Sequence, residues 1–137
     1  MKYIHTITIS VIAQQHEDVL FILQHYLDCD WKKEKISVQH LNAKEEFSTY
    51  SIKLHHQRHH KLLLQHLLPH VDYQQMLERI DNEGILYMRL DKASLQHKNI
   101  VWVDHGNCYH LRIKFAGYPV SQDSARQVCQ HMLDAWL

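Results

Sequence analysis

The densest group of side chains able to do chemistry is the run His55-His56-Gln57-Arg58-His59-His60. If this stretch is helical, His56, His59 and His60 stand at i, i+3 and i+4 on one face, a spacing at which imidazoles can hold zinc or nickel. His66 and His70 repeat the i, i+4 relation further on. No Cys or carboxylate stands at a fixed spacing to complete a ligand set. With 14 histidines among 137 residues, neighbours of this kind also arise from composition alone. A metal site on His56, His59 and His60 is therefore kept only as an alternative, and no cofactor is expected. Catalysis has thinner support still. The chain has no Gly-rich phosphate loop, no His-Glu-x-x-His and no Gly-x-Ser-x-Gly. Cys108 and His110 would share a strand face as nucleophile and base, yet an isolated cysteine more often packs as a small hydrophobe. The sequence reads as that of a non-enzyme.

A second set is cationic and lies on alternating segments. Residues 85–91 put Leu86, Met88 and Leu90 on one face and Tyr87, Arg89 and Asp91 on the other. Residues 109–115 do the same, with His110, Arg112 and Lys114 opposite Tyr109, Leu111, Ile113 and Phe115. Lys53 alternates with Ile52 and Leu54, on the side of Thr49 and Ser51. With Thr6, Thr8 and Ser10 these residues would form a mildly basic, hydroxyl-rich sheet face carrying one aromatic ring. Lys53, Arg89, Arg112 and Lys114 are permanently positive, against Asp91 alone. Arg and Lys pair with phosphates and an exposed ring stacks on bases, the combination by which sheet platforms hold single-stranded RNA. Such residues are also normal occupants of the solvent face of any one-sided sheet.

Several elements must position these groups. Residues 2–12 alternate as a strand, with Tyr3, His5, Ile7, Ile9 and Val11 on the apolar side. From 15 to 28 the period becomes helical, through Val19, Leu20, Ile22, Leu23, Tyr26 and Leu27. A charged loop at 30–34 precedes a strand at Ile36 and Val38. A further strand covers Tyr50, Ile52 and Leu54. Residues 59–68 read as a leucine-rich helix stopped by Pro69, and 72–80 as a short helix capped by Asp72. A turn at 81–84 leads into the strand at 85–91. The apolar run 100–103 and a turn at 104–107 come before the next strand. Ser121 opens a last helix with Ala125, Val128, Cys129, Met132 and Trp136 on one face. Strands apolar on one face need cover on one side only. The expected fold is thus α+β: a two-layer sandwich of mainly antiparallel sheet with helices on one face, in a single domain over 1–137.

Composition sets the outer bounds. Lys plus Arg and Asp plus Glu are 15 each, so any polyanion must be held by a local patch and not by net charge. Cys29, Cys108 and Cys129 show no paired spacing, which suits a reducing compartment. No apolar run approaches the ~20 residues of a membrane span, so a cytoplasmic protein without membrane contact is expected.

The segment from Arg79 to Pro119 carries a family resemblance. Its core, residues 80–92, comprises an acidic turn (Asp81-Asn82-Glu83-Gly84), an apolar strand and then Arg89-Leu90-Asp91-Lys92. It resembles the signature of an archaeal family of predicted RNA-binding, exosome-associated proteins, in which a second strand follows a short loop. His16-Glu17-Asp18-Val19 is similar to the acidic opening of that family's first helix. One departure is clear: residues 39–47 lack the Gly-His-x-Gly-Asn type of loop usual in the family. The resemblance implies a two-layer fold likened to a large-subunit ribosomal protein, RNA as ligand and a place in a multi-subunit RNA-processing complex. It adds Lys92 to the candidates. The RNA-binding set is then Lys53, Tyr87, Arg89, Asp91, Lys92, His110, Arg112 and Lys114, with Asp91 as an orienting partner for Arg89 or a simple ion pair. A protein-interaction domain using the same face is the alternative. The last helix, with Trp136, is expected either to dock on the core or to form a homodimer contact.

Overall fold

Period-two apolar residues build five strands, and each helix turns its apolar stripe toward them. The computed structural model describes residues 2–13, 17–27, 36, 38–44 and 47–137. The order is β1 (Ile4–Ala13), α1 (Glu17–Tyr26), β2 (Val38–Lys44), β3 (Phe47–Leu54) and α2 (Gln57–Leu67), followed by a 3-10 turn at Leu68–His70. Then come α3 (Tyr73–Arg79), β4 (Ile85–Asp91), α4 (Lys92–Gln96), β5 (Cys108–Phe115) and α5 (Gln122–Trp136). The strands form one sheet in the order β2-β3-β1-β5-β4, and every pairing is antiparallel. The first strand is therefore central. The charged loop expected at 30–34, Cys29, His16 and the Glu45-Glu46 pair lie outside the described residues.

One face of the sheet carries the core. Ile7, Ile9, Ile52, Leu54, Leu111, Ile113, Leu86 and Met88 meet Ile22 and Leu27 of the first crossover, Leu63, Leu64 and Leu67 of α2, Met76 of α3, and Cys129 and Met132 of α5. This is the α+β two-layer arrangement expected from the alternation. Local chemistry fixes the helix starts: Asp72 Oδ1 accepts from Gln75 N at 3.1 Å, and Ser121 Oγ accepts from Ser124 N at 3.0 Å. The buried Tyr26 hydroxyl is tied down too, donating to Leu95 O at 2.8 Å. Trp136 lies in the core and meets Tyr3 edge-on at 5.5 Å, so α5 docks on its own domain.

Three local expectations are corrected. The register between β1 and β5 slips between Ile4 and Thr6, so Ile4 pairs with Phe115 and is buried while His5 is exposed. A bulge adds one residue, which reverses the side on which everything before it points. Next, β4 does not run into a loop. Asp91 Oδ2 accepts from Ser94 N at 3.0 Å and from Ser94 Oγ at 2.6 Å, capping α4, a helix that strand alternation concealed. Lastly, the apolar run after α4 lies along β4. Trp102 bridges Leu90, and Val103 N donates to Arg89 O at 2.8 Å.

Candidate nucleic-acid interface

The face of the sheet turned away from the helices is organised by cross-strand register. Lys53 pairs with Thr8, Thr8 with Arg112, and Arg112 with Tyr87, making one continuous row over β3, β1, β5 and β4. The neighbouring row runs Ser51, Ser10, His110, Arg89, and the row on the other side pairs Thr6 with Lys114 and Lys114 with Ile85. Adjacent strands are about 4.8 Å apart and alternate residues of one strand about 7 Å apart. Arg112 thus sits at the centre of a cationic field, roughly 7 Å from Lys114, 8 Å from Arg89 and 10 Å from Lys53 between Cβ positions. Thr6 and Ser51 are nearly covered, as small residues are when flanked by long cationic stems. Tyr87 is 56% exposed beside Arg112, so its ring presents an open flank.

Acidic side chains are scarce on the strands themselves. Across all five strands the sequence places Lys44, Lys53, Arg89, Arg112 and Lys114 against Asp91 alone. Asp91 is committed to capping α4, and the two hydrogen bonds from Ser94 hold its carboxyl below the usual carboxylate range. It does not orient Arg89. That guanidinium instead donates from Nη1 to Asp104 O at 3.2 Å, in a loop also held by the Arg79–Asp104 ion pair at 3.2 Å. Lys92 is the first residue of α4, and its Nζ reaches Ile12 O at 3.4 Å, beyond the end of the rows. Of the eight candidates, Lys53, Tyr87, Arg89, His110, Arg112 and Lys114 share the open face. Asp91 and Lys92 mark its far edge.

The bulge brings His5, which alternation had assigned to the apolar side, out beside Lys2 and Lys114. His5 stands outside the core, with its Nδ1 3.5 Å from Lys2 Nζ. Partial desolvation, then the fields of Lys2, Lys114, His55 and Lys53, lower its pKa. Every charged neighbour acting on it is basic. No signal in the sequence could reveal this corner, because a bulge leaves the residue pattern unchanged.

The remaining chemical groups are placed differently from the expectation. His56, exposed at the start of α2, meets the buried His59 ring edge-on at 5.6 Å, but His60 turns away to Leu54 O, so the three do not form one ligand set. His60 Nε2 is 2.6 Å from Leu54 O, and burial lowers its pKa. Among the described residues no group of three His, Cys, Asp or Glu could hold a metal ion. Cys108 Sγ lies 3.5 Å from His110 Nε2, but burial raises the thiol pKa, and burial followed by Arg89 lowers that of the imidazole. Such a pair rests as thiol and neutral imidazole, not as an activated thiolate. Cys129, inside α5 against the core, is pushed up to about 12 by burial. No helix of the described residues is long and apolar enough to cross a membrane.

No family model matches the sequence, and no curated protein does. Solved structures do match in fold. A DUF54 protein from Methanothermobacter thermautotrophicus aligns with a TM-score of 0.69 at 19% identity, over 96% of this chain and 99% of that one. A DUF54 protein from Archaeoglobus fulgidus gives 0.70 at 14% identity, over 94% and 99%. A DUF54 protein from Sulfolobus solfataricus gives 0.64 at 13%, over 95% and 98%. At these identities the likeness speaks for fold, and in fold the chain is similar, over nearly its whole length, to archaeal DUF54 proteins.

Proposed function

We propose that this chain is a non-catalytic RNA-binding accessory protein that holds single-stranded RNA on the open face of its sheet. The observation that carries the reading is the row Lys53–Thr8–Arg112–Tyr87 with Lys114 and Arg89 beside it: a cationic centre next to an exposed ring. Phosphates pair with the cations, and a base stacks on Tyr87. With zero formal net charge the chain gains little from long-range attraction, so partner subunits of an RNA-processing assembly such as the exosome supply part of the affinity.

Anisotropy with a fluorescent mixed-sequence RNA tests this. Four phosphates on Lys53, Arg89, Arg112 and Lys114 give a slope of log affinity on log salt of about −2.8. Arg112→Glu/Lys114→Glu should shrink that slope by about 1.4 while the chain stays folded. Affinity indifferent to salt and to these charges removes RNA as ligand. One observation favours a second reading, a protein-interaction surface: Ile12 and Val101 are exposed at the end of the sheet near Lys92. A partner there would be lost with Ile12→Asp and would tolerate the Arg112 and Lys114 changes.

A further inference from the structure

Where β1 begins and β5 ends, the bulge and the segment after β5 enclose a cleft of about 260 Å³. Its lining is divided by chemistry. His5 and Lys114 stand on one side, and Phe115, Ala116, Gly117 and Val120 on the other. Lys2 Nζ stands 3.5 Å from His5 Nδ1, and Lys53 adds positive charge to the same corner. The apolar side is held rigid. A Cβ on Gly117 would stand 2.6 Å from Ser124 Oγ, so glycine alone lets this segment lie flat against the first turn of α5. Ser124 Oγ then donates to Pro119 O at 2.7 Å. Tyr118, 94% exposed, and Val120, 60% exposed, project from this fixed segment. Val120 left open in a lining that also holds Lys114, with Lys2 close by, suits a ligand flat and apolar at one end and doubly anionic at the other. The volume lies just below the ~300 Å³ at which drug-sized pockets begin, which is room for one nucleotide.

We propose that this cleft is a subsite for the terminal nucleotide of a single-stranded RNA, its phosphomonoester held by Lys114 and Lys2 with a hydrogen bond from His5, and its base laid on Val120. This rests on the RNA reading of the sheet face and gives that face an end. A terminal phosphate carries up to two charges where an internal phosphodiester carries one, so it offsets the mutual repulsion of Lys2, Lys53 and Lys114 better than any internal link. The strand would continue from the cleft past Arg112 toward Tyr87 and Arg89.

The test uses the full chain and three ten-nucleotide RNAs of one sequence, carrying a 5′ phosphate, a 3′ phosphate or neither, with AMP as a separate arm. One phosphorylated form should bind about tenfold tighter than the unphosphorylated one. Val120→Glu, on the exposed wall and off the sheet face, should erase that preference, bringing all three RNAs to one lower affinity that still depends on Arg112. Arg112→Glu should weaken all three together. Equal binding of the three RNAs, all still sensitive to Arg112→Glu, overturns the terminal subsite and leaves the RNA face standing. Failure of every RNA, with AMP still bound and lost in Val120→Glu, keeps the phosphate cleft and discards the sheet face. Failure of AMP and of every RNA overturns both.

Discussion

Inverting the charge of Arg112 should weaken RNA binding and at the same time stabilise the fold. Arg112 has three permanent cations around it, roughly 7, 8 and 10 Å away across the sheet. In water, unit charges at those separations repel by about 0.6, 0.5 and 0.4 kcal/mol. Screening with a Debye length of about 8 Å at 0.15 M salt reduces the sum to about 0.6 kcal/mol. Arg112→Glu turns repulsion into attraction, a change of about 1.1 kcal/mol, whereas Arg112→Gln gains only about half of that. In 1 M salt the full change shrinks to about 0.2 kcal/mol. Loss of the guanidinium stem beside Tyr87 costs the two variants alike, so their difference isolates the charge term. Urea denaturation followed by tryptophan fluorescence, at both salt concentrations, measures it. The Glu variant should exceed the Gln variant by about 0.5 kcal/mol at 0.15 M and match it at 1 M. A Glu variant no more stable than the Gln variant at low salt would mean that the cations do not converge, and the basis of the interface would go with it.

Two further outcomes follow from buried groups and close contacts. The His60 imidazole is fully buried and its pKa is lowered, first by desolvation, so the unfolded chain binds its proton more readily than the folded one. Stability is then held above the unfolded value near 6.5 and lost as pH falls below it, with a slope of up to ~1.4 kcal/mol per pH unit from this residue. Denaturation at pH 7.5, 6.5 and 5.5 should show that fall, and His60→Gln should flatten it; an unchanged slope in the variant contradicts the assignment. Gly117→Ala brings a Cβ to 2.6 Å from Ser124 Oγ and 3.0 Å from the Ser124 carbonyl carbon. It should destabilise by roughly 1–3 kcal/mol, with Ser124→Ala restoring only part because the backbone clash remains, whereas a fully stable single variant would show that the segment yields.

What the sequence disclosed followed from local periodicity. The strands of Leu86, Met88 and Leu90 and of Leu111, Ile113 and Phe115 were readable because each buries one face only. The Asp72 and Ser121 caps were readable because an acceptor side chain must precede orphan backbone donors. The open-face side chains followed from the same alternation. Their neighbours did not, since placing Lys53 one strand away from Arg112 depends on a strand order that nothing local encodes. The bulge at His5 was invisible for a related reason: Ile4-His5-Thr6 alternates whether or not the register slips. At Asp91 two local rules competed. Its place at the end of an alternating strand suggested a surface carboxylate, while Asp91-Lys92-Ala93-Ser94 is equally a helix start, and the capping bonds to Ser94 decided it.

The strands depart from the zero net charge of the chain: they carry Lys44, Lys53, Arg89, Arg112 and Lys114 with one committed carboxylate, whereas the described helices and turns carry both signs. With no net charge on the chain, a cluster of this kind acts at short range and gains little from the long-range field. Sheet cations left close together lower stability, and solvation alone gives no reason to gather them when neutral Thr or Ser would fill the same positions. On the proposed RNA reading, the like charges around Arg112 are relieved by phosphates from outside the chain, and the salt-dependent gain of Arg112→Glu over Arg112→Gln measures how much relief there is to give.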